Sequence, residues 1–291
     1  MKKIVVLGST GSLGKQSLEI IKKYPQYFCV LALSAHKNQK LLNKQKEDFR
    51  AKQAVLSSRE GQEKLTELCG LADADVVINV LSGVAGIGPT IKTIEKRKTL
   101  ILGNKESLIA SERKVDVSKI IPIDSEHNAI YEIIKCNPGK KIKKIILPCS
   151  GGPFFGRKSL DKISPEEALK HPQWSMGKKI SIESATLINK GLEIIEAHYL
   201  FKIPLNKIEV IIHPEALVHG IVEFEDTTLA YISKPDMKDH IENALLETVG
   251  QNKKLEIREL KNNEFKFYEP DYTLFKGVEI VKKAFILGDM K

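Results

Sequence analysis

The sequence contains no run of the roughly 18 consecutive apolar residues that a membrane helix needs. Its N-terminal run Ile4–Leu7 is also too short for the apolar stretch of a signal peptide. Cysteine is scarce and scattered: Cys29, Cys69, Cys136 and Cys149 show no C-x-x-C spacing. That argues against a disulfide framework or a zinc knuckle and leaves the thiols as small buried side chains. There is one tryptophan, and no basic stripe interleaved with aromatics, so the net charge of +9 suits small phosphorylated ligands better than nucleic acid. Repeats and low-complexity tracts are missing as well. These absences lead us to expect a soluble, cytoplasmic protein with neither a membrane nor a nucleic acid as partner.

What is present fits a folded chain of more than one domain, with 291 residues, 42% of them hydrophobic and 29% charged. Up to about residue 150, short β-rich runs ("KIVVLG", "FCVLALS", "QAVLSS", "DVVINVL", "TLILG", "KIIPID", "IKKIILPCS") alternate with segments of helical spacing. This predicts a Rossmann-like, doubly wound parallel sheet. After Ser150 a Gly/Pro stretch leads to a long helix, read as "SATLINKGLEIIEAHYLF", and then to alternating runs. The expected class is α/β, the first sheet being followed by an α+β domain with a mostly antiparallel sheet. Expected boundaries are 1–149, 150–250 and 251–291, the last holding one helix, "GVEIVKKAFIL", with little to pack against.

The clearest motif is "VVLGSTGSLGKQ", in which Gly8, Gly11 and Gly14 separate the first strand from a helix. A dinucleotide pyrophosphate needs such glycines for close backbone approach, and it needs the unpaired N–H groups of the helix start. Gly8, Thr10, Gly11, Ser12, Leu13 and Gly14 are therefore candidate cofactor contacts. The second strand ends in His36, Lys37 and Asn38 instead of an acidic residue. That set suits a 2'-phosphate, hence NADP. Asn104, Lys105 and Glu106 follow another strand, where either ligand binding or helix capping accounts for them.

"IPIDSEHNAIYE" also ends a strand, and the i, i+2 spacing of Asp124 and Glu126 lets two carboxylates converge on one hard cation, although a helix cap explains the same letters. On a helix over 186–201, Asn189, Glu193 and Glu196 fall within about 60° of one another with Lys190 nearby. A solvent face with an i, i+3 Lys190–Glu193 pair explains the stripe equally well; turned to a polar cavity, it adds a third carboxylate and favours Mg2+ or Mn2+ over zinc. Trp174 sits in a Pro- and Gly-containing segment, as a water-excluding lid would. His213 and His219 flank "PEALV" and read as structural.

Together "GSTGSLG", "NKES", "IDSEHNAI", "SGGPF", "HPQWSMGKKISIESATLINKGLEIIEA" and "IHPEALVH" resemble, in order, the 1-deoxy-D-xylulose 5-phosphate reductoisomerases. That family uses NADPH and a divalent metal to make 2-C-methyl-D-erythritol 4-phosphate in the non-mevalonate isoprenoid pathway, by a retro-aldol/aldol rearrangement and then hydride transfer. The resemblance implies metal ligation by Asp124, Glu126 and Glu193. It also implies a phosphate grip by Ser150, Ser184, Asn189 and Lys190. Ser125, Lys105, Glu196, His171 and His219 would line the pocket, with Lys105 and His171 among the catalytic positions. Trp174 and Met176 would lie on the lid, the partner would be a phosphorylated sugar, and the assembly a homodimer. Two departures stand out: His36 replaces the family's usual Gly, and residues 251–291 match only the linker and first helix of a C-terminal helical bundle. The competing readings are a semialdehyde-type dehydrogenase with Cys149 as nucleophile, and an inactive cofactor-binding relic.

Overall fold

Strand β1 (Lys2–Leu7) is buried from Ile4 to Leu7, which is why its sequence is a continuous apolar run and not an alternating one. The computed structural model describes residues 1–111, 115–173, 177–262 and 264–289. The chain divides into one unit of Met1–Asp124 with Met237–Lys254 and a second of Ser125–Asp236 with Leu255–Lys291. In the first unit β1 is followed by α1 (Ser12–Lys23), β2 (Phe28–Ala35), α2 (Gln39–Asp48), β3 (Gln53–Leu56) and the single turn α3 (Ser57–Glu60). Then come α4 (Glu63–Gly70), β4 (Val76–Asn79), α5 (Ile87–Glu95), β5 (Thr99–Leu102), α6 (Lys105–Ser111) and β6 (Ile120–Pro122). All six strands are parallel, in the order β3-β2-β1-β4-β5-β6. This is the expected doubly wound sheet, and the order reverses between β1 and β4, so a ligand crevice opens at their carboxyl ends.

The second unit begins with α7 (Ser125–Lys135), β7 (Ile142–Cys149), the short α8 (Pro165–Ala168), α9 (Lys178–Ala185) and α10 (Ile188–Phe201). It continues with β8 (Ile208–Ile212), β9 (Val218–Phe224) and β10 (Thr228–Ile232). The chain then returns to the first unit as α11 (Met237–Glu247), which lies on α1. There Glu242 accepts hydrogen bonds from Lys23 Nζ at 2.5 Å and Tyr24 Oη at 2.7 Å. Strand β11 (Glu256–Arg258) and α12 (Gly277–Asp289) complete the second unit, whose sheet runs β11-β10-β9-β7-β8. Its pairs are antiparallel except β7 with β8, so the sheet is mostly antiparallel as expected.

Three local expectations change. The run "IKKIILPCS" is β7 of the second sheet, not a seventh strand of the first. Ile145 and Leu147 face a core shared with Ile130 and Ile133 of α7 and Ile194 of α10, while Ile146 packs on the other side with Ile221 and Phe267. A strand covered on both faces reads the same in either kind of sheet. The expected single helix over 186–201 starts at Ile188 instead, because Leu187 takes a left-handed conformation with φ +58° and separates α9 from α10.

Finally, α12 does find a partner. Gly277 docks on that break so closely that a Cβ would lie 2.2 Å from Thr186 O, and a Cβ added at Gly191 would lie 2.8 Å from Val281 Cβ. Val278 is buried, whereas Ile280, Ile286 and Leu287 face outward. Among the described residues, no helix is long and apolar enough to cross a membrane. Gly277→Ala should therefore lower stability by about 2 kcal/mol or more, seen as a lower urea midpoint with little change in slope.

Candidate active site

In the first unit, every cofactor candidate sits after a parallel strand, at the same carboxyl edge of the sheet. Gly8, Thr10, Gly11, Ser12, Leu13 and Gly14 form the β1–α1 turn. Gly8 has φ +82°, and a Cβ there would meet Val80 O at 2.9 Å. At Gly14 a Cβ would lie 2.2 Å from Gly8 O and 2.6 Å from Ser9 Cα. The turn is pinned by Ser9 Oγ, which donates to Gln45 Oε1 at 2.8 Å, and by Gln45 Nε2, which donates to Ser9 O at 2.9 Å. Bare backbone at the start of α1 thus forms the kind of cradle a pyrophosphate occupies.

The loop after β2 exposes His36 and Lys37, with His36 Nδ1 3.2 Å from Ser57 Oγ, while Asn38 caps α2 by accepting from Leu41 N at 3.1 Å. Asn104 is likewise a cap: its Oδ1 accepts from Ser107 N at 2.8 Å and its Nδ2 donates to Leu81 O at 2.7 Å. Glu106 lies in the first turn of α6, and Lys105 is buried with Nζ 2.6 Å from Asp124 Oδ2. Asp124 is the last residue of this stretch of the first unit, two residues after the end of β6.

Ser125 and Glu126 open α7 in the second unit, with Ser125 Oγ donating to Glu126 Oε2 at 2.5 Å. Helix α7 can lie this close to β9 because Gly220 leaves room; a Cβ there would stand 3.2 Å from Glu126 O. Lys190, in the first turn of α10, is 3% exposed. Its Nζ donates to Glu126 Oε1 at 2.5 Å and to Pro148 O at 2.8 Å, and pairs with Glu193 Oε2. Burial alone would favour the neutral amine, but the Glu126 and Glu193 carboxylates outweigh it and raise the pKa, so the ammonium persists. Asn189 Nδ2 donates to Glu193 Oε1.

Glu196 turns to a residue the sequence did not single out. His127 is fully buried, with Nε2 2.9 Å from Glu193 O and Nδ1 3.4 Å from Glu196 Oε2. The signal was there: His127 stands three residues before Ile130 on the apolar stripe of α7. In chemical terms, Glu126 and Glu193, carboxylates on neighbouring helices, form an oxygen donor set for a hard cation.

Ser150 follows β7 and lines a cavity of about 520 Å3 together with Gly152, Phe154, Lys170, Gln173 and Pro214. Its Oγ accepts from Gly152 N at 3.2 Å and lies 3.1 Å from His171 Nε2, while His171 Nδ1 accepts from Gln173 N at 3.2 Å. That last bond puts the imidazole proton on Nε2, so His171 donates to Ser150 and leaves the hydroxyl proton for an incoming acceptor. Ser184, near the end of α9, has its carbonyl 3.2 Å from where a Gly152 Cβ would stand. His219 on β9 is buried, with Nε2 3.3 Å from Ser233 O and its ring beside Tyr231. His213 is buried too, with Nδ1 3.0 Å from Lys266 O, a structural part. Trp174 and Met176 lie outside the described residues.

Burial pushes the Cys149 thiol up to about 11, despite the opposing pull of Lys190. A thiol that stays protonated at neutral pH is a poor nucleophile, which removes the support for a semialdehyde-type mechanism. Burial, and then the Lys190 charge, lower His171 to about 4 from its ordinary 6.5. Between these values the unfolded chain binds the proton and the native one does not. Stability should therefore drop as pH falls from 6.5 towards 4, and in denaturant melts His171→Asn should show a smaller drop than wild type.

Residues 4–70 and 57–112 match the sequence model of 1-deoxy-D-xylulose 5-phosphate reductoisomerase, and residues 120–201 match that of its C-terminal domain. The reductoisomerase of Thermodesulfovibrio yellowstonii is 45% identical over 84% of this chain and 71% of its own length. That of Persephonella marina is 42% identical over 98% and 80%. A solved DOX-P reductoisomerase in complex with NADPH, fosmidomycin and magnesium superposes with a TM-score of 0.85 at 32% identity, covering 99% of this chain and 80% of that one. The Zymomonas mobilis enzyme in complex with NADPH gives 0.82 at 32% identity, over 97% and 80%. With its sequence, its two sheets and its glycine turn all matching, the chain belongs to the 1-deoxy-D-xylulose 5-phosphate reductoisomerase family.

Proposed function

We propose that the protein is an NADPH- and divalent-metal-dependent reductoisomerase that converts 1-deoxy-D-xylulose 5-phosphate to 2-C-methyl-D-erythritol 4-phosphate for isoprenoid precursor synthesis. The observation that carries this reading is the pair of carboxylates, half-buried Glu126 on α7 and buried Glu193 on α10, held around one ammonium. Asp124, next but one before Glu126, would be the third ligand. The fit is chemical: these are hard oxygen donors, and the nearby Cys149 is kept protonated. The glycine turn fits NADPH because Gly8 and Gly14 let β1, the turn and α1 pack backbone to backbone, leaving the start of α1 bare for a pyrophosphate. His36 and Lys37 stand at the end of β2, where a 2'-phosphate would be met.

When bound, Mg2+ or Mn2+ supplies Lewis-acid polarisation of substrate oxygens and NADPH supplies hydride. The chain's own groups do the rest. Lys105 sets a positive charge against Asp124 and orients that carboxylate. Ser125 holds Glu126 in one rotamer through its hydroxyl. Ser150, its proton turned outward by Gly152 and His171, binds a phosphate oxygen as a donor, with Ser184, Asn189 and Lys190 completing the grip. Glu196 and His219 line the sugar end of the pocket, and Trp174 with Met176 belongs to the segment that excludes water. Self-association through the strands after residue 207 is part of the same proposal, as is action in the cytoplasm.

NADPH oxidation on addition of the substrate and Mn2+ or Mg2+ tests the activity; folded protein without turnover would overturn it and favour the relic. Glu193→Gln should cut metal-dependent turnover more than about 100-fold, beyond the cost of losing an outer contact, while NADPH titration gives a nearly unchanged Kd. Equal loss of both would mark Glu193 as structural.

A further inference from the structure

An ammonium has three N–H donors; at Lys190 one goes to Pro148 O at 2.8 Å and one to Glu126 Oε1 at 2.5 Å, while Glu193 Oε2 pairs with the same nitrogen. In this arrangement the ammonium is enclosed by two carboxylates and a carbonyl and is held away from a phosphate. A divalent ion binding these carboxylates would lie against the ammonium and be repelled by it. We propose that the Lys190 ammonium stands in for the divalent cation between Glu126 and Glu193, so that cation binding displaces it and frees it for a phosphate. The inference rests on the assignment of Glu126 and Glu193 as cation ligands.

Lys190 is on the first turn of α10, the helix end whose positive potential suits a phosphate, and that turn carries no acidic residue. Its four-carbon stem reorients freely once the two carboxylates are taken. One side chain thus serves two ligands in succession: as counter-ion while the cation is away, and as phosphate donor once it has arrived. The two binding events are then coupled, and the coupling is reciprocal.

The test uses the full chain with Mn2+ followed by electron paramagnetic resonance and inorganic phosphate followed by calorimetry. In the wild type, each ligand should tighten the other by the same factor, about fivefold or more. Lys190→Gln should bind Mn2+ alone more tightly than wild type by a similar factor, and the coupling to phosphate should vanish. Weaker Mn2+ binding in that variant, or wild-type phosphate binding indifferent to Mn2+, overturns the proposal. An unchanged Mn2+ Kd in Glu193→Gln would instead sink the ligand assignment, and the displacement with it. Should Lys190→Gln not fold, wild-type crystal structures with and without Mn2+ decide. Nζ parted from Glu193 supports displacement, and Nζ still bonded to both carboxylates in the Mn2+ form refutes it.

Discussion

The buried charge of Lys190 is the constraint around which the second unit is organised. An ammonium withdrawn from water costs several kcal/mol unless opposite charges and hydrogen-bond acceptors meet it with good geometry. Here they come from three places far apart in sequence, the start of α7, the end of β7 and the next turn of α10. Helix, strand and helix must therefore meet at fixed distances. Apolar packing of Ile130, Ile133, Leu147 and Ile194 brings them near one another, but only the charge cluster says which residues must face inward. The His127 link from α7 to Glu193 O fastens the same two helices one step further along.

Much of the first unit was legible in the sequence because its signals are local. Each central strand is an apolar run, each glycine of the β1–α1 turn answers to a nearby backbone atom, and the parallel order follows from alternation of strands with helices. The local signal fails where pairing is long-range. Nothing inside "IKKIILPCS" says whether it joins β6 or β9, because Ile145 and Ile146 are both covered, on opposite faces. The return of 237–254 to the first unit depends on α11 meeting α1 through Glu242, Lys23 and Tyr24, a contact more than two hundred residues apart in sequence. The break at Leu187 is also invisible locally, since leucine favours helix and is held left-handed by what docks there.

The candidate site divides in the same way. Carboxylates at strand ends and a polar stripe on an otherwise apolar helix can be read from spacing, so Asp124, Glu126 and Glu193 stood out. Asn38 and Asn104 looked equally functional, yet their side chains cap helices, because a capping residue and a ligand-binding residue occupy the same kind of position at a strand end. His127 escaped notice for the opposite reason. A histidine on an apolar stripe passes as core until the carbonyl and carboxylate opposite its two nitrogens are seen.

The seat of α12 has a further consequence. Gly277 touches backbone at the start of α10 and Val281 touches Gly191 within it, so the helix bearing Asn189, Lys190 and Glu193 is braced from behind with no slack. Across the reductoisomerases the two sides of this last helix should therefore have changed at different rates over time. Positions 277, 278 and 281 answer to α10 and should drift slowly, while 280, 286 and 287, which face away, are left to whatever each lineage places against them.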